Sequence, residues 1–362
     1  MKKILISIGT RPNMIKVTQF KRVAKELGGI EVEIVHTGQH YDHAMADVFF
    51  EQFDLKPDHR LALIKDHPLD QIAEMMSKLG NLIHELTPDI VLTPGDVNST
   101  FAAAFAAHKL GVKVGHIESG LRSFDRTMPE EINRILTDRI TDLFFVTEQS
   151  ALYNLKHEGT LEEQVHFVGN TMIDTLIAFD EQIEAADALS NYDLQRNEYI
   201  LLTFHRPGNV DSIENQQRLF DVIKSITKFR ECIFPIHPRA KKAFEASGFW
   251  KQLETLNSLT ITPPLGYFEF QKLVKYAFAV ITDSGGIQEE TTFRRVPCIT
   301  LRPNTERPVT IDIGSNVLLS FDAEIILNHL KHIESGVMKP SIVPPLWDGL
   351  STERILKIIK VL

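Results

Sequence analysis

Short apolar runs rich in β-branched residues alternate with longer stretches of helical periodicity along almost the entire chain, and no other feature restricts the fold as tightly. In the first half the strand candidates fall at residues 4–8, 32–37, 90–93, 112–117, 143–146 and 165–168. In the second half they fall at 199–203, 232–236, 259–261, 279–282 and 298–301. Ile72, Met75, Met76, Leu79, Ile83 and Leu86 recur at helical spacing, and further helices are expected at 213–229, 268–276, 287–294 and 352–361. This repetition is the mark of βαβ units, so the expected class is α/β with parallel sheets.

With 362 residues the chain exceeds the size at which one hydrophobic core stops growing, so two domains are expected. The periodicity lapses over 185–197 (AADALSNYDLQRN), which predicts a linker there. The first Rossmann-like domain then covers 1–184 and the second 198–340. A crossing marked by Pro340, Pro344 and Pro345 leads to a final helix within 341–362.

Glycine, charge and hydroxyl groups cluster directly after the strand candidates. GTRPN, TGQHYD, PGDVNST and HIESGLRS do so in the first half, and TFHRPGNVD, PIHPRA, TDSGGIQEE and LRPNTERP in the second. Open parallel sheets bind ligands outside the carboxyl ends of their strands. Two such domains facing each other would gather these loops around one cleft.

The strongest local signal is DSGGIQEE, residues 283–290. Two glycines between a strand and a helix allow backbone N–H groups to approach an anion, and the helix N-terminus adds positive potential. Ser284 offers a hydroxyl to a phosphate, Glu290 offers a carboxylate to ribose hydroxyls, and Arg307 of TERP is a second phosphate ligand. A tight turn with a helix cap is the structural alternative for an isolated SGG. Arg11 and Lys16 of GTRPNMIK put positive charge after the first strand, without the spacing of a P-loop; a solvated pair is the bland alternative. Three carboxylates, Asp96, Glu118 and Glu130, lie in strand-end loops of the first domain, where acid–base chemistry at carbon would need them. Singly, Asp96 reads equally as a helix cap, and Glu130 with Glu131 as a favourable helix start. His205 precedes Arg206 in a post-strand loop and suits a leaving pyrophosphate.

Several classes are disfavoured. The net charge is −9 without blocks of Lys and Arg, which argues against a nucleic-acid partner. No GxGxxG occurs, so no dinucleotide cofactor is expected, and His36, His40 and His43 lack a ligand pattern, so neither is a metal. No apolar run approaches the roughly 18 residues of a membrane span. The opening apolar run, 4–8, is too short for a signal core, and two distant cysteines, Cys232 and Cys298, form no CxxC pair; the expected location is the cytoplasm.

Taken in order, GTRPNMIK, GDVNST, GHIESGLRS, PEEINR, GNTMID, TFHR, ITDSGGIQEE and NTERP closely resemble the motifs of the non-hydrolysing bacterial UDP-N-acetylglucosamine 2-epimerases, from Gly9 to about Leu319. The resemblance implies two Rossmann-like domains of the glycosyltransferase-B fold, a homodimer, and a UDP-sugar substrate converted without cofactor, for cell-surface polysaccharide precursors. It implies anti elimination of UDP, a bound 2-acetamidoglucal, and re-addition after C2 is reprotonated on the other face. Asp96, Glu118 and Glu130 would be the acid–base carboxylates, and His205 would assist the diphosphate. Arg11, Lys16, Ser284, Gly285, Gly286, Glu290 and Arg307 would hold the nucleotide, with Phe270 beside uracil.

The sequence departs from the common family form at Asn13, near Gly208 and at Val309, which leaves open a sibling enzyme acting on another UDP-2-acetamido sugar, such as a 6-deoxy sugar. A glycosyltransferase shares the fold, but needs room for an acceptor where the three carboxylates stand. Where family members bind a second, activating UDP-N-acetylglucosamine through Gln-His-x-Gln or Gln-His-x-Glu, this chain has Gln39-His40-Tyr41-Asp42. The altered contacts predict reverse epimerisation without an activator.

Overall fold

The structure is a computed structural model that describes residues 1–39, 49–65 and 67–362. His40, Tyr41, Asp42 and His43, which carry most of the activator segment and two of the three clustered histidines, lie outside the described residues. The chain forms two compact units, Met1–Ala178 with Pro345–Leu362, and Phe179–Pro344.

The first unit is built on a seven-stranded sheet, β1 (Lys2–Ile8), β2 (Ile30–His36), β3 (His59–Arg60), β4 (Ile90–Pro94), β5 (Lys113–Ile117), β6 (Leu143–Val146) and β7 (Val165–Phe167), in the order β3-β2-β1-β4-β5-β6-β7. Every pairing is parallel, with Ile4 opposite Ile90 and Ile6 opposite Leu92 at the centre. Central strands buried on both faces are mostly apolar, and Ile4, Leu5, Ile6 and Ile8 are all buried, with the small Ser7 between the last two. The helix Asn98–Lys109 packs on this sheet through Ala102, Ala103, Ala104, Ala106 and Ala107, whose small side chains permit a close approach.

The second unit has six strands, β8 (Tyr199–Thr203), β9 (Glu231–Pro235), β10 (Leu259–Thr262), β11 (Ala279–Thr282), β12 (Cys298–Thr300) and β13 (Asn316–Leu318), in the order β10-β9-β8-β11-β12-β13. Counted within the unit, this is the doubly wound order 3-2-1-4-5-6, again all parallel. Each sheet reverses its winding once, between β1 and β4 in the first unit and between β8 and β11 in the second. The two-unit, parallel-sheet α/β class expected from the alternation is the class observed. Its edge strands β3 and β13, two and three residues long, were not among the strand candidates.

The chain enters the second unit at Phe179, before the stretch expected to be the linker. Residues 185–197 are not free chain, because the short helices Asp180–Ala185 and Ala188–Asn191 belong to this unit. Glu184 accepts from Lys272 at 2.7 Å and Tyr276 at 2.8 Å, and Asp180 from Lys275 at 3.0 Å. After Pro344 the chain returns to the first unit. There the buried Asp174 accepts from the backbone N–H groups of Ser351 (3.1 Å) and Thr352 (2.6 Å), the first residues of the helix Ser351–Val361. Trp347 also donates to the Thr147 carbonyl at 3.0 Å, and Ile355, Leu356 and Ile359 are buried. Burial pushes the Asp174 carboxyl above its ordinary range, and these helix N–H groups partly offset it. Among the described residues no helix is long and apolar enough to cross a membrane, and both cysteines are free and buried.

Candidate active site

In the first unit the loops after β1, β4 and β5 meet at the switch point. Asn13 ties the first two together. Its Oδ1 accepts from Gly9 N (3.2 Å), Thr10 N (3.1 Å) and Thr10 Oγ1 (3.0 Å), while its Nδ2 donates to the Pro94 carbonyl at 2.9 Å. A carboxylate could not make that last bond, so Asn13 is an amide with work specific to it. Gly95 turns the chain with φ +72°, and a Cβ there would lie 3.1 Å from Lys16 Nζ and 3.2 Å from Asn13 Nδ2. The turn thus needs glycine both for its backbone and for the close approach of the lysine.

Glu118 follows β5 in the left-handed region at φ 70°, an unfavoured place for a residue with a Cβ. It is buried and its Oε2 receives Lys16 Nζ at 2.6 Å, forming an ion pair removed from water. Lys16, expected to reach the nucleotide, is therefore engaged with an acid–base candidate. Arg11 places its guanidinium 4.1 Å over the Phe49 ring. Asp96, just before the N-cap Val97 of the helix Asn98–Lys109, is half-buried and paired with Arg134.

Arg134 is itself buried and also binds Glu131, through Nη2 at 2.7 Å and Nε at 3.1 Å. Glu131 further accepts from Ser123 N (2.9 Å), Ser123 Oγ (3.0 Å) and Phe124 N (2.9 Å). Burial works against the charge on Glu131, but these N–H groups and Arg134 outweigh it and hold the carboxyl below its ordinary range. Glu130, one residue earlier in the first turn of Pro129–Arg139, is half-buried, and its side chain has no hydrogen bond or ion pair among the described residues. Within the motif PEEINR, Glu131 and Arg134 thus pair with each other, while Glu130 makes no such pair among the described residues. Sequence reasoning passed over Arg134, although its spacing three residues after Glu131 was a usable sign.

A second buried group supports the same loops. His116 lies between Asp138 Oδ1 (2.6 Å) and the Gly95 carbonyl (2.8 Å), and Asp138 also receives Arg122 at 2.6 Å and Gly120 N at 3.0 Å. Burial opposes the charge on Asp138, and His116 with Arg122 hold its carboxyl below the usual range.

In the second unit the loops after β8 and β11 meet in the same way. Asp283, fully buried, accepts from His205 N (3.1 Å), Arg206 N (2.9 Å) and Asn209 Nδ2 (3.0 Å), and pairs with His205 Nδ1 at 3.0 Å. Burial disfavours its charge, yet these donors hold it below the ordinary carboxylate range. A carboxylate on Nδ1 fixes the ring, and the His205 side chain stays about two-fifths exposed.

Ser284 stands at the N-cap of the ten-residue helix Gly285–Arg294, but its hydroxyl neither caps the helix nor bonds elsewhere among the described residues. Arg307 is buried, ion-paired with Glu289 at 2.8 Å and both ion-paired with and donating to Glu306. A Cβ on Gly285 would lie 2.6 Å from Glu306 Oε1 and 2.7 Å from Arg307 Nη1, so this glycine is what lets the guanidinium reach the helix N-terminus. Gly286 is the next helical residue. Glu290 is buried with its carboxyl pushed up to about 7 by desolvation, against the opposing pull of Gln271 and Arg294. Phe270 is partly buried on the helix Tyr267–Lys275, packed against the core of this unit. One helix start thus gathers backbone N–H groups, the Ser284 hydroxyl and an arginine already paired with two carboxylates, group types that can bind an anion.

The sequence model of the UDP-N-acetylglucosamine 2-epimerase family matches residues 22–360. The chain belongs to this family. A UDP-N-acetylglucosamine 2-epimerase of Methanococcus maripaludis is 44% identical, over 99% of this chain and 98% of that one. A UDP-2,3-diacetamido-2,3-dideoxy-D-glucuronate 2-epimerase of Pseudomonas aeruginosa is 36% identical over 90% of each. The crystal structure of the Methanocaldococcus jannaschii UDP-GlcNAc 2-epimerase, in complex with UDP-GlcNAc and UDP, superposes with a TM-score of 0.89 at 37% identity, over 99% of this chain and 100% of that one. The 2-epimerase fold, two Rossmann-like units of the glycosyltransferase-B kind, is thus the fold of this chain. Among the described residues no group of three His, Cys, Asp or Glu is disposed to hold a metal.

Proposed function

We propose that this chain epimerises C2 of UDP-N-acetylglucosamine, giving UDP-N-acetylmannosamine without hydrolysis. The observation that carries the reading is the pairing of two carboxylates from neighbouring strand ends, Asp96 and Glu118, each with its own cation, Arg134 and Lys16. Removing and returning a proton at carbon requires carboxylates whose position and charge are fixed by such partners. One carboxylate takes the C2 proton as the electron pair forms a C1–C2 double bond and the C1–oxygen bond breaks toward UDP. Another returns a proton to C2 from the opposite face, and UDP re-adds at C1. Asp96, Glu118 and Glu130 share these tasks, and His205, oriented by Asp283, stabilises the departing diphosphate. Ser284, Gly285, Gly286 and Arg307 hold the diphosphate, Glu290 the ribose, Phe270 the uracil, and Arg11 and Lys16 add positive charge. We place the enzyme in the cytoplasm as a homodimer that supplies a precursor of cell-surface polysaccharide.

The test is incubation of the pure protein with UDP-N-acetylglucosamine in deuterated water. Deuterium at C2 of both epimers, seen by NMR, is the expected result; no exchange at C2 would overturn the reading. The kinship with an enzyme of diacetamido-glucuronate favours one further reading, a C2 epimerase of a differently substituted UDP-2-acetamido sugar. Under it, exchange would be faster on that sugar than on UDP-N-acetylglucosamine.

A further inference from the structure

Phe124 is an anomaly of placement. It lies six residues after Glu118, is 77% exposed, and holds a left-handed backbone at φ 60°. A phenylalanine gains nothing from water and a residue with a Cβ gains nothing from that conformation. The loop nevertheless fixes it from both sides. Glu131 receives the N–H groups of Ser123 and Phe124, each at 2.9 Å. On the other side Asp125 accepts from Thr127 N (3.0 Å) and Oγ1 (2.6 Å), and Met128 N donates to the Asp125 carbonyl at 3.1 Å. The ring makes no aromatic or cation contact among the described residues. Glu131 is also the partner of Arg134, and Arg134 of Asp96, so the backbone of Phe124 is two ionic contacts from an acid–base carboxylate. The site's own framework presents an apolar ring outward.

We infer that Phe124 is the shield of the elimination intermediate, its ring covering the unsaturated sugar while UDP waits to re-add. This rests on the function proposed above, and it explains why an exposed ring is built into the acid–base wall. An eliminated sugar has lost its covalent tie to the nucleotide, so only packing and exclusion of water retain it between the two chemical steps. A flat apolar ring suits the flattened face of a glycal better than a charged or flexible side chain would.

The experiment measures partition rather than rate. Full-length wild type, Phe124→Ala and Phe124→Tyr are each supplied with UDP-N-acetylglucosamine in deuterated water. Deuterium at C2 is counted by NMR, and free UDP with 2-acetamidoglucal by chromatography. Because the residue is 77% exposed, removal of its ring leaves the fold intact. The expected result is a rise of about 10-fold or more in glucal and UDP released per C2 exchange in Phe124→Ala, restored to near the wild-type ratio in Phe124→Tyr. An unchanged ratio in Phe124→Ala overturns the proposal, whether or not exchange itself slows. So does an unchanged ratio accompanied by a shift in oligomeric state on light scattering, which would make Phe124 a contact between copies. Absence of exchange in the wild type would instead sink the functional reading, independently of either variant.

Discussion

Glu290 is buried in the second unit with its carboxyl pushed up to about 7 from an ordinary 4.5, chiefly by loss of hydration. The folded protein then holds a proton that the unfolded chain releases, so stability is fully present below about pH 4.5 and is lost as pH rises through about 7. At about 1.4 kcal/mol per tenfold change in proton affinity, the whole loss amounts to about 3 kcal/mol. Glu290→Gln keeps the shape, stays neutral at every pH, and remains within reach of Gln271. It should therefore be more stable than the wild type at alkaline pH, and the gap should widen by about 2 kcal/mol between pH 5.5 and 8.5. For a unit of this size that is a relative gain of roughly 4–8 °C in melting temperature. Melting both proteins by differential scanning fluorimetry across that range, without ligand, measures it directly. UDP affinity by calorimetry should meanwhile fall in the variant, since an amide is a weaker acceptor for two ribose hydroxyls than a carboxylate. A stability gap that stays flat with pH, or narrows toward pH 8.5, would refute the argument.

Four other outcomes are expected. Asp96→Asn should lower kcat by at least ~10²-fold while UDP affinity stays near the wild-type value, and a parallel collapse of affinity would mark Asp96 as a binding group. Arg307→Ala should weaken UDP binding by roughly 1.5–3 kcal/mol. It should also destabilise the apo protein by about 3–5 kcal/mol, because Glu289 and Glu306 lose a buried cation; calorimetry and urea unfolding separate the two effects. Turnover should survive EDTA treatment and charcoal stripping, and activity restored only by added metal or nicotinamide would contradict the reading. Pure UDP-N-acetylmannosamine should be converted without a lag; a lag abolished by trace UDP-N-acetylglucosamine would show that activation survives the change to Asp42.

Strand positions were legible because a parallel strand buried on both faces must be a short apolar run, and β1, β4, β8 and β11 all announce themselves in this way. The edge strands β3 and β13 did not, since two or three residues cannot display a period. The start of the second unit was misplaced for an electrostatic reason. Asp180 and Glu184 look like surface charge along the sequence, yet their partners Lys275 and Lys272 lie about ninety residues further on. In the site, the loops themselves were readable from glycine and charge after each strand. What sequence could not supply was the division of work within a loop. Glu130 and Glu131 are chemically identical neighbours, and only the helix phase sends one to Arg134 and leaves the other without an ion pair among the described residues. Likewise Lys16 read as a phosphate ligand, and its pairing with Glu118 across 102 residues belongs to the tertiary fold.

The returning helix Ser351–Val361 sets the timetable by which this protein can be made. The first unit is synthesised first, but Asp174 and the surface that receives Ile355, Leu356 and Ile359 wait for residues translated after the whole of the second unit. While the ribosome makes all of Phe179–Pro344, the leading unit carries an uncovered apolar strip and a carboxylate without its helix. A chain halted near residue 340 would hold the strands of both sheets but leave the leading unit without its returning helix. Fragments cut at the first crossing should accordingly aggregate when expressed alone, and recover when residues 345–362 are joined to them through a short flexible linker after Ala178.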